Sequence, residues 1–152
     1  MPPSEAASKP VTILLADDDE EDRMLIRDAL QDSGLCEQMR FVTDGQDLMD
    51  YLRRGGRYAD PSVDAPRPGV ILLDLQMPRM DGREALDELK SDVSLREIPV
   101  TVLSTSDRDA DVADSYARGA SSFITKSVTF DGLVEVMRAW RRYWFDVVEL
   151  PR

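Results

Sequence analysis

Five short apolar runs divide the chain, and each is followed by a segment in which apolar residues recur every three or four positions. An unbroken apolar run bounded by Gly or Pro is typical of a strand buried on both faces of a parallel sheet. The sequence therefore predicts strands at 10–16, 41–43, 70–73, 98–103 and 121–125. The second of these is weaker than the others and begins near Glu37.

The segments between these runs predict helices, because helical spacing is combined with start and stop signals. The helices run from the acidic stretch 17–22 to Gly34, from Asp44 to about Arg54, onward from Gly82, over 107–118 and from Phe130 to Trp144. This alternation predicts an α/β fold, with a five-stranded doubly wound parallel sheet, helices on both faces and right-handed crossovers.

The length of 152 residues suits one domain with a sizeable core. Residues 1–9 are small, polar and Pro-rich, and we expect them to form a disordered leader. We expect the folded domain at 10–145 and a C-terminal tail at 146–152. The domain takes up nearly the whole sequence, so we expect no separate output domain.

Composition excludes several classes of function. The net charge of -11 argues against nucleic acid and anionic membranes as partners, because both attract basic proteins. No apolar run approaches the length of a membrane span. Cys36 is the single cysteine, which favours a reducing compartment, and we expect the cytoplasm. The chain has no histidine, which excludes histidine-based catalysis, histidine-bound metals and phosphohistidine carriage.

Polar side chains follow the predicted strands where they end. Residues 17–19 are three aspartates after the first strand, Asp74 ends the third, and Ser104 and Lys126 follow the fourth and fifth. The carboxyl ends of parallel strands open onto one edge of the sheet, so we expect these groups to lie together. Clustered carboxylates repel one another, and a cation bound by oxygen ligands, Mg²⁺ or Mn²⁺, would relieve the repulsion.

The hydroxyl and the ammonium at this edge suit a phosphoryl group. Lysine binds phosphoryl oxygen as a point charge, and serine can donate a hydrogen bond to another oxygen. Together with the carboxylates, Ser104 and Lys126 predict phosphoryl transfer to a carboxylate nucleophile, with a metal ion and a lysine neutralising the charge.

The same stretches resemble the receiver domain of two-component response regulators. The matching segments are 13–19, 71–82, 98–104 and 123–126, within a likeness that extends from about Val11 to Val148. A finer pattern at 50–58, 67–68, 104–106 and 144–151 is similar to single-domain regulators paired with bacterial phytochrome-type histidine kinases. The resemblance implies a flavodoxin-like (βα)5 fold and a histidine kinase, of the bacteriophytochrome class, as partner.

The resemblance also implies roles for the acidic residues. Asp74 would accept the phosphoryl group, and it would bind Mg²⁺ directly together with Asp18 and the backbone carbonyl of Gln76. Asp17 would act through a coordinated water. No cofactor beyond the metal ion is implied. The protein would be a signalling component that catalyses only its own phosphorylation and dephosphorylation, and not an enzyme acting on other substrates.

The remaining roles concern the switch. Ser104 would move toward the phosphoryl group, Phe123 would change rotamer and Lys126 would pair with a phosphoryl oxygen, while Gln76 and Ser106 would tune hydrolysis of the acyl phosphate. Two residues depart from the family pattern. Ser127 stands where a cis-proline is usual, which leaves open whether the preceding bond is cis or trans, and Phe123 replaces the commoner tyrosine.

Other interpretations compete with each motif. Residues 19–22 are acidic residues of the kind favoured at a helix N-terminus, and Asp22 stands where an EF-hand loop needs glycine. The strand that ends at Asp74 is not a Walker-B strand, because the sequence has no matching phosphate-binding loop. A haloacid-dehalogenase-type site would need a second aspartate two residues after Asp74, where this chain has Gln76. A Mg²⁺-dependent phosphohydrolase remains the alternative function, and a scaffold that is not phosphorylated is a third.

The end of the chain carries more aromatic and aliphatic residues than one helix face can bury: Trp140, Tyr143, Trp144, Phe145, Val147, Val148 and Leu150. One interpretation is a core face followed by a tail folded back over the domain. We expect a homodimer through the last helix and tail, because large exposed apolar patches mark interfaces.

Overall fold

Five parallel strands form the centre of the computed structural model, which describes residues 11–32, 39–106, 108–126 and 129–151. The strands are β1 (Ile13–Ala16), β2 (Met39–Val42), β3 (Val70–Asp74), β4 (Val100–Ser104) and β5 (Ser122–Thr125). Their order in the sheet is β2–β1–β3–β4–β5. This arrangement confirms the predicted doubly wound α/β fold of the flavodoxin type.

The helices that follow the strands are α1 (Glu20–Asp32), α2 (Gly45–Arg53), α3 (Gly82–Ser91), α4 (Asp109–Ala117) and α5 (Phe130–Arg141). A short 3-10 helix (Gly56–Ala59) follows α2, and a π-helical segment (Arg142–Val147) continues α5. Asp44, Asp81 and Thr129 cap the helices that they precede, each accepting a hydrogen bond from a backbone N–H three residues on.

The core lies in two layers, one on each face of the sheet. Side chains alternate along a strand, so Ile71 and Leu73 face the layer of α2 and α3, whereas Val70 and Leu72 face the layer of α1 and α5. All five residues of β3 are buried, as expected for the central strand of a parallel sheet. The edge strand β5 is only partly buried.

The structure departs from the predicted elements at several boundaries. Strand β4 begins at Val100 rather than Ile98, since Pro99 has no N–H to donate to the sheet. Strand β2 ends at Val42, one residue before its predicted end at Thr43, and its predicted start near Glu37 lies outside the described residues. The predicted last helix ends as an α-helix at Arg141 and continues as a π-helix, so Trp144 belongs to a different helical type.

Two predicted apolar faces are also wrong in part. Met24 and Leu25 of α1 are exposed, whereas Ile26 is buried with Ala29 and Leu30. In α4 the predicted face of Val112, Ala113, Tyr116 and Ala117 leaves Tyr116 about half exposed, and the buried residue of this helix is Ser115. The predicted leader at 1–9, the stop at Gly34 and the peptide bond between Lys126 and Ser127 lie outside the described residues.

The C-terminal segment lies against the domain. Trp144 and Phe145 are partly buried and pack on the core layer of α1 and α5. A Cβ atom at Gly69, just before β3, would lie 3.6 Å from Leu150 Cδ1, which places the tail beside the amino end of the central strand. Among the described residues, no helix combines the length and the apolar character needed to cross a membrane.

Candidate functional site

Three carboxylates meet at the carboxyl ends of the two central strands. Ala16 pairs with Leu73, so the residues that follow, Asp17 and Asp74, emerge side by side. Asp17, Asp18 and Asp74 each place one carboxylate oxygen within 4.8 Å of the other two. Asp17 and Asp74 are 0% and 7% exposed, whereas Asp18 faces solvent, so the cluster is a buried pair with one open side.

Backbone and side-chain hydrogen bonds hold the buried pair in place. Asp17 Oδ1 accepts from the N–H of Asp19 at 3.0 Å, and the Arg23 guanidinium donates to the Asp17 carbonyl at 2.8 Å. Asp74 Oδ1 accepts from the N–H of Gln76 at 3.2 Å. Each carboxylate therefore uses one oxygen toward the backbone that follows its strand.

The chain after β3 approaches the site closely because residue 82 is glycine. The N–H of Gly82 donates to the Leu75 carbonyl at 2.9 Å. A Cβ atom at this position would come within 2.4 Å of the Asp74 carbonyl oxygen, so α3 can begin beside the acceptor strand only without a side chain.

Burial makes the acidic pair difficult to ionise. Desolvation raises the pKa of Asp74 to about 6, and the charge of Asp17 adds to this effect while the charge of Lys126 opposes it. Desolvation also raises the pKa of Asp17. A bound cation would relieve this cost, because it favours the ionised form of both carboxylates.

The three carboxylates fit a hard divalent cation. Their oxygens lie within 4.8 Å of one another, so small side-chain movements would let the cluster hold such an ion. The donor set contains oxygen atoms only, and such sites suit Mg²⁺ or Mn²⁺ rather than zinc.

Lys126 reaches the carboxylates from the end of β5. Its Nζ lies 2.8 Å from Asp22 Oδ2, 3.2 Å from Asp17 Oδ2 and 3.8 Å from Asp74 Oδ2. Burial alone would lower the pKa of this lysine, but the hydrogen bond to Asp22 and the charges of the three carboxylates raise it. Lys126 therefore supplies a permanent positive charge beside Asp74.

The predicted switch residues occupy the neighbouring strands. Ser104 is buried, its hydroxyl accepts from the N–H of Ser106 at 3.1 Å, and its carbonyl accepts from the N–H of Lys126 at 2.7 Å. The Ser106 hydroxyl donates in turn to Asp111 of α4. Phe123 is partly buried and packs against the core layer of α2 and α3.

The structure therefore brings Asp17, Asp18, Asp74 and Lys126 together, as the sequence predicts. Ser104 stands at the adjacent strand end with its hydrogen bond directed along its own loop. Gln76 is exposed, and its N–H contacts Asp74.

Two ion pairs at this edge were not predicted from the sequence. Asp22, interpreted as a helix-start acid, is the nearest carboxylate to Lys126 among the described residues. Arg79 has a positive φ of 64° and pairs with the buried Asp44 at the start of α2. The N–H of Gly45 also donates to the Met80 carbonyl at 2.8 Å, so the loop after β3 is tied to α2.

Comparisons with known proteins agree with this geometry. Residues 13–138 match the family model of the response regulator receiver domain. The chain is 35% identical to response regulator Rcp1 of Synechocystis sp., over 97% of this chain and 98% of that protein. Its structure is similar to that of the phosphorylated cyanobacterial phytochrome response regulator RcpA, with a TM-score of 0.86, 40% identity and coverage of 95% and 100%. It is also similar to the Mn²⁺-bound form of Rcp1, with a TM-score of 0.84, 36% identity and coverage of 94% and 100%.

Proposed function

This chain belongs to the family of response regulator receiver domains, and from that premise we propose that it accepts a phosphoryl group from a histidine kinase onto Asp74. The observation that carries the proposal is the setting of this carboxylate. Asp74 ends the central strand, is almost buried, and has both the acidic pair of β1 and the ammonium of Lys126 within reach.

In the proposed reaction an Asp74 oxygen forms a bond to phosphorus, and the bond between phosphorus and the donor's histidine nitrogen breaks with its electron pair on nitrogen. The donor is protonated on its other ring nitrogen, so histidine leaves in its neutral form. The carboxylates of Asp18 and Asp74 and the Gln76 carbonyl would hold Mg²⁺, with Mn²⁺ as a substitute and Asp17 acting through water. The bound ion supplies positive charge that offsets the charge of the phosphoryl oxygens. Lys126 contributes a second positive charge, with its Nζ 3.8 Å from Asp74 Oδ2.

Phosphorylation would act through the neighbouring strand ends. Ser104 would exchange its hydrogen bond with the Ser106 N–H for one to the phosphoryl group, and Phe123 would repack on the edge strand. Because Ser106 also bonds Asp111, this exchange would alter the start of α4. The output is a changed protein–protein surface rather than a released product.

We propose a histidine kinase of the bacteriophytochrome class as the phosphoryl donor. Structures similar to this chain include RcpA, a cyanobacterial phytochrome response regulator, and a bacteriophytochrome response regulator at 35% identity. The likeness covers 100% of the RcpA chain and 85% of the chain of the bacteriophytochrome response regulator. This kinase would be phosphorylated by ATP and would transfer the phosphoryl group to the receiver in the cytoplasm.

We also propose that residues 10–145 form the receiver and that α5 with the tail at 146–152 forms a homodimer contact. Tyr143 and Val147 are 51% and 65% exposed, which leaves an apolar pair on the π-helical segment. The contact is smaller than the sequence suggested, since Trp144 and Phe145 pack on the core.

Treatment with acetyl phosphate tests the proposed function. We expect phosphate-affinity electrophoresis to show a shifted band that requires Mg²⁺ and is absent from Asp74→Asn. Undiminished labelling of Asp74→Asn would overturn the proposal. Multiple turnover of a small phosphoester would support a phosphohydrolase instead.

A further inference from the structure

We propose that Asp22 is a positioning residue that holds Lys126 toward α1 before phosphorylation and competes with the phosphoryl group for this lysine. The inference rests on the proposed function, because it concerns the phosphorylation of the same acceptor, Asp74. Asp22 lies on the first turn of α1 and is neither the acceptor nor one of the three clustered carboxylates.

The distances around the ammonium support this role. Lys126 Nζ lies 1.0 Å closer to Asp22 than to Asp74, at 2.8 Å against 3.8 Å. Only the contact to Asp22 and the longer one to Asp17, at 3.2 Å, are hydrogen bonds. The lysine side chain is 12% exposed, so few water molecules can replace these partners.

Hydrogen bonds in the first turn of α1 restrict the position of Asp22. The Asp19 carboxylate accepts from the N–H of Glu21 at 2.9 Å and from that of Asp22 at 3.4 Å, which fixes the start of the helix. The Arg23 guanidinium donates to the Asp17 carbonyl at 2.8 Å and ties this turn to β1. Asp22 is therefore held above the end of β5, where Lys126 emerges.

Phosphorylation of Asp74 changes the balance of charge around the lysine. The acyl phosphate carries nearly two negative charges on three acceptor oxygens, where the ionised Asp74 carboxylate carried one charge. Lys126 must move toward these oxygens and lose its bond to Asp22, whose side chain is 36% exposed. An ion pair with one partner open to solvent contributes modestly, corresponding to roughly a two- to five-fold change in an equilibrium or rate constant.

Acetyl phosphate isolates this effect, because it needs no kinase docking. An Asp74 oxygen forms a bond to phosphorus, the bond between phosphorus and the acetate oxygen breaks, and acetate leaves with the electron pair. With saturating Mg²⁺, we expect Asp22→Asn to be phosphorylated about three-fold faster than the wild type, since its lysine lacks the charged partner nearest to it and moves more readily to the incoming phosphoryl group.

Two control variants separate this role from a change in overall charge. Glu21→Gln removes one negative charge from the same helical turn but not the partner of Lys126, so its rate should stay close to that of the wild type. Asp22→Glu keeps a carboxylate for the lysine and should restore a rate near that of the wild type. Urea midpoints of all variants show whether the fold is intact.

A double-mutant cycle with Lys126→Ala gives an independent check. We expect Asp22→Asn to have no effect on the phosphorylation rate when Lys126 is absent, because Asp22 and the phosphoryl group then have no lysine to compete for. An equal rate for Asp22→Asn and the wild type would overturn the inference, as would an equal gain in Glu21→Gln. The first three variants decide the matter even where Lys126→Ala is too slow to measure.

The outcomes also distinguish the two proposals. If the wild type is not labelled by acetyl phosphate at all, the proposed function fails. If the wild type is labelled at Asp74 but Asp22→Asn behaves like it, only the positioning role of Asp22 fails.

Discussion

The indole N–H of Trp140 donates a buried hydrogen bond of 2.9 Å to Thr101 Oγ1, which joins α5 to the start of β4. The same threonine hydroxyl lies 2.8 Å from the Ser122 hydroxyl on β5. Three elements near the switch residues are therefore connected by one side chain. Ser122 directly precedes Phe123, and Thr101 stands three residues before Ser104 on the same strand.

Thr101→Val tests the strength of this connection. The substitution keeps the shape of the side chain but leaves the buried Trp140 N–H without its acceptor, which costs about 1–3 kcal/mol. We expect the free energy of unfolding to fall by this amount in urea denaturation followed by tryptophan fluorescence. Thr105→Val, at an exposed position directly after β4, should change it little. Equal stability of the two variants would contradict the connection.

Gly82→Ala tests the close approach of α3 to the acceptor strand. A methyl group would lie 2.4 Å from the Asp74 carbonyl and 2.6 Å from Leu75 Cα, so the backbone must shift at the site. We expect about 1–3 kcal/mol of lost stability, as for other overpacked positions, together with weaker Mg²⁺ binding in calorimetry. Gly55→Ala is the matched control, because its nearest neighbour is an Asp50 oxygen at 3.8 Å. Equal Mg²⁺ affinity in both variants would argue against the close approach.

The affinity for Mg²⁺ should depend on the protonation of Asp74. Burial raises the pKa of this carboxyl to about 6, so it is protonated below that pH and ionised above it. Only the ionised form binds a cation well, and we expect the affinity to fall about ten-fold for each unit of pH below 6. Calorimetry between pH 5 and pH 7.5 measures this, and the absence of histidine removes another titrating group from the range. A flat profile would contradict the raised pKa.

The raised pKa of Asp74 also affects the stability of the metal-free protein. The folded state retains a proton on Asp74 up to about pH 6, whereas the unfolded chain loses it near pH 4. The folded state binds more protons in this window, so the contribution of Asp74 to stability falls as pH rises from about 4 to 6. Addition of Mg²⁺ above pH 6 should recover part of the loss, as seen in urea midpoints with and without the ion. An unchanged midpoint on addition of Mg²⁺ would speak against binding at this cluster.

The proposed homodimer predicts a role for Tyr143 and Val147, the exposed pair on the π-helical segment. Tyr143→Ser with Val147→Ser should weaken association at least about ten-fold, which corresponds to roughly 1.4 kcal/mol, in sedimentation over a range of concentrations. Tyr116→Ser removes a similarly exposed aromatic ring from α4 and should not affect the association. Wild-type protein that stays monomeric at high micromolar concentration would exclude the dimer.

Most of the site could be predicted because it follows from strand ends. Asp17 and Asp74 each come directly after an apolar run, and parallel pairing of Ala16 with Leu73 places them side by side. Lys126 follows β5 in the same way. The positions of these groups depend on the order of strands, and strand–helix alternation restricts that order strongly.

The contact of Asp22 with Lys126 depends instead on how α1 is rotated about its axis. Met24 and Leu25 are apolar but exposed, so the apolar pattern misjudges which side of the helix faces the sheet. The fixing of the first turn by Asp19 and Arg23 is a matter of side-chain geometry that spacing does not encode. The π-helical end of α5 is likewise a departure from helical spacing with no residue signal of its own.

The most direct test of the account is to locate the phosphoryl group chemically. Protein treated with acetyl phosphate and Mg²⁺ is reduced with borohydride, which converts an aspartyl phosphate to homoserine, and the site is read by peptide mass spectrometry. We expect homoserine at position 74, and none there when Mg²⁺ is omitted. Homoserine at another of the clustered aspartates, or phosphate that survives reduction on a serine, would contradict the assignment of Asp74 as the acceptor.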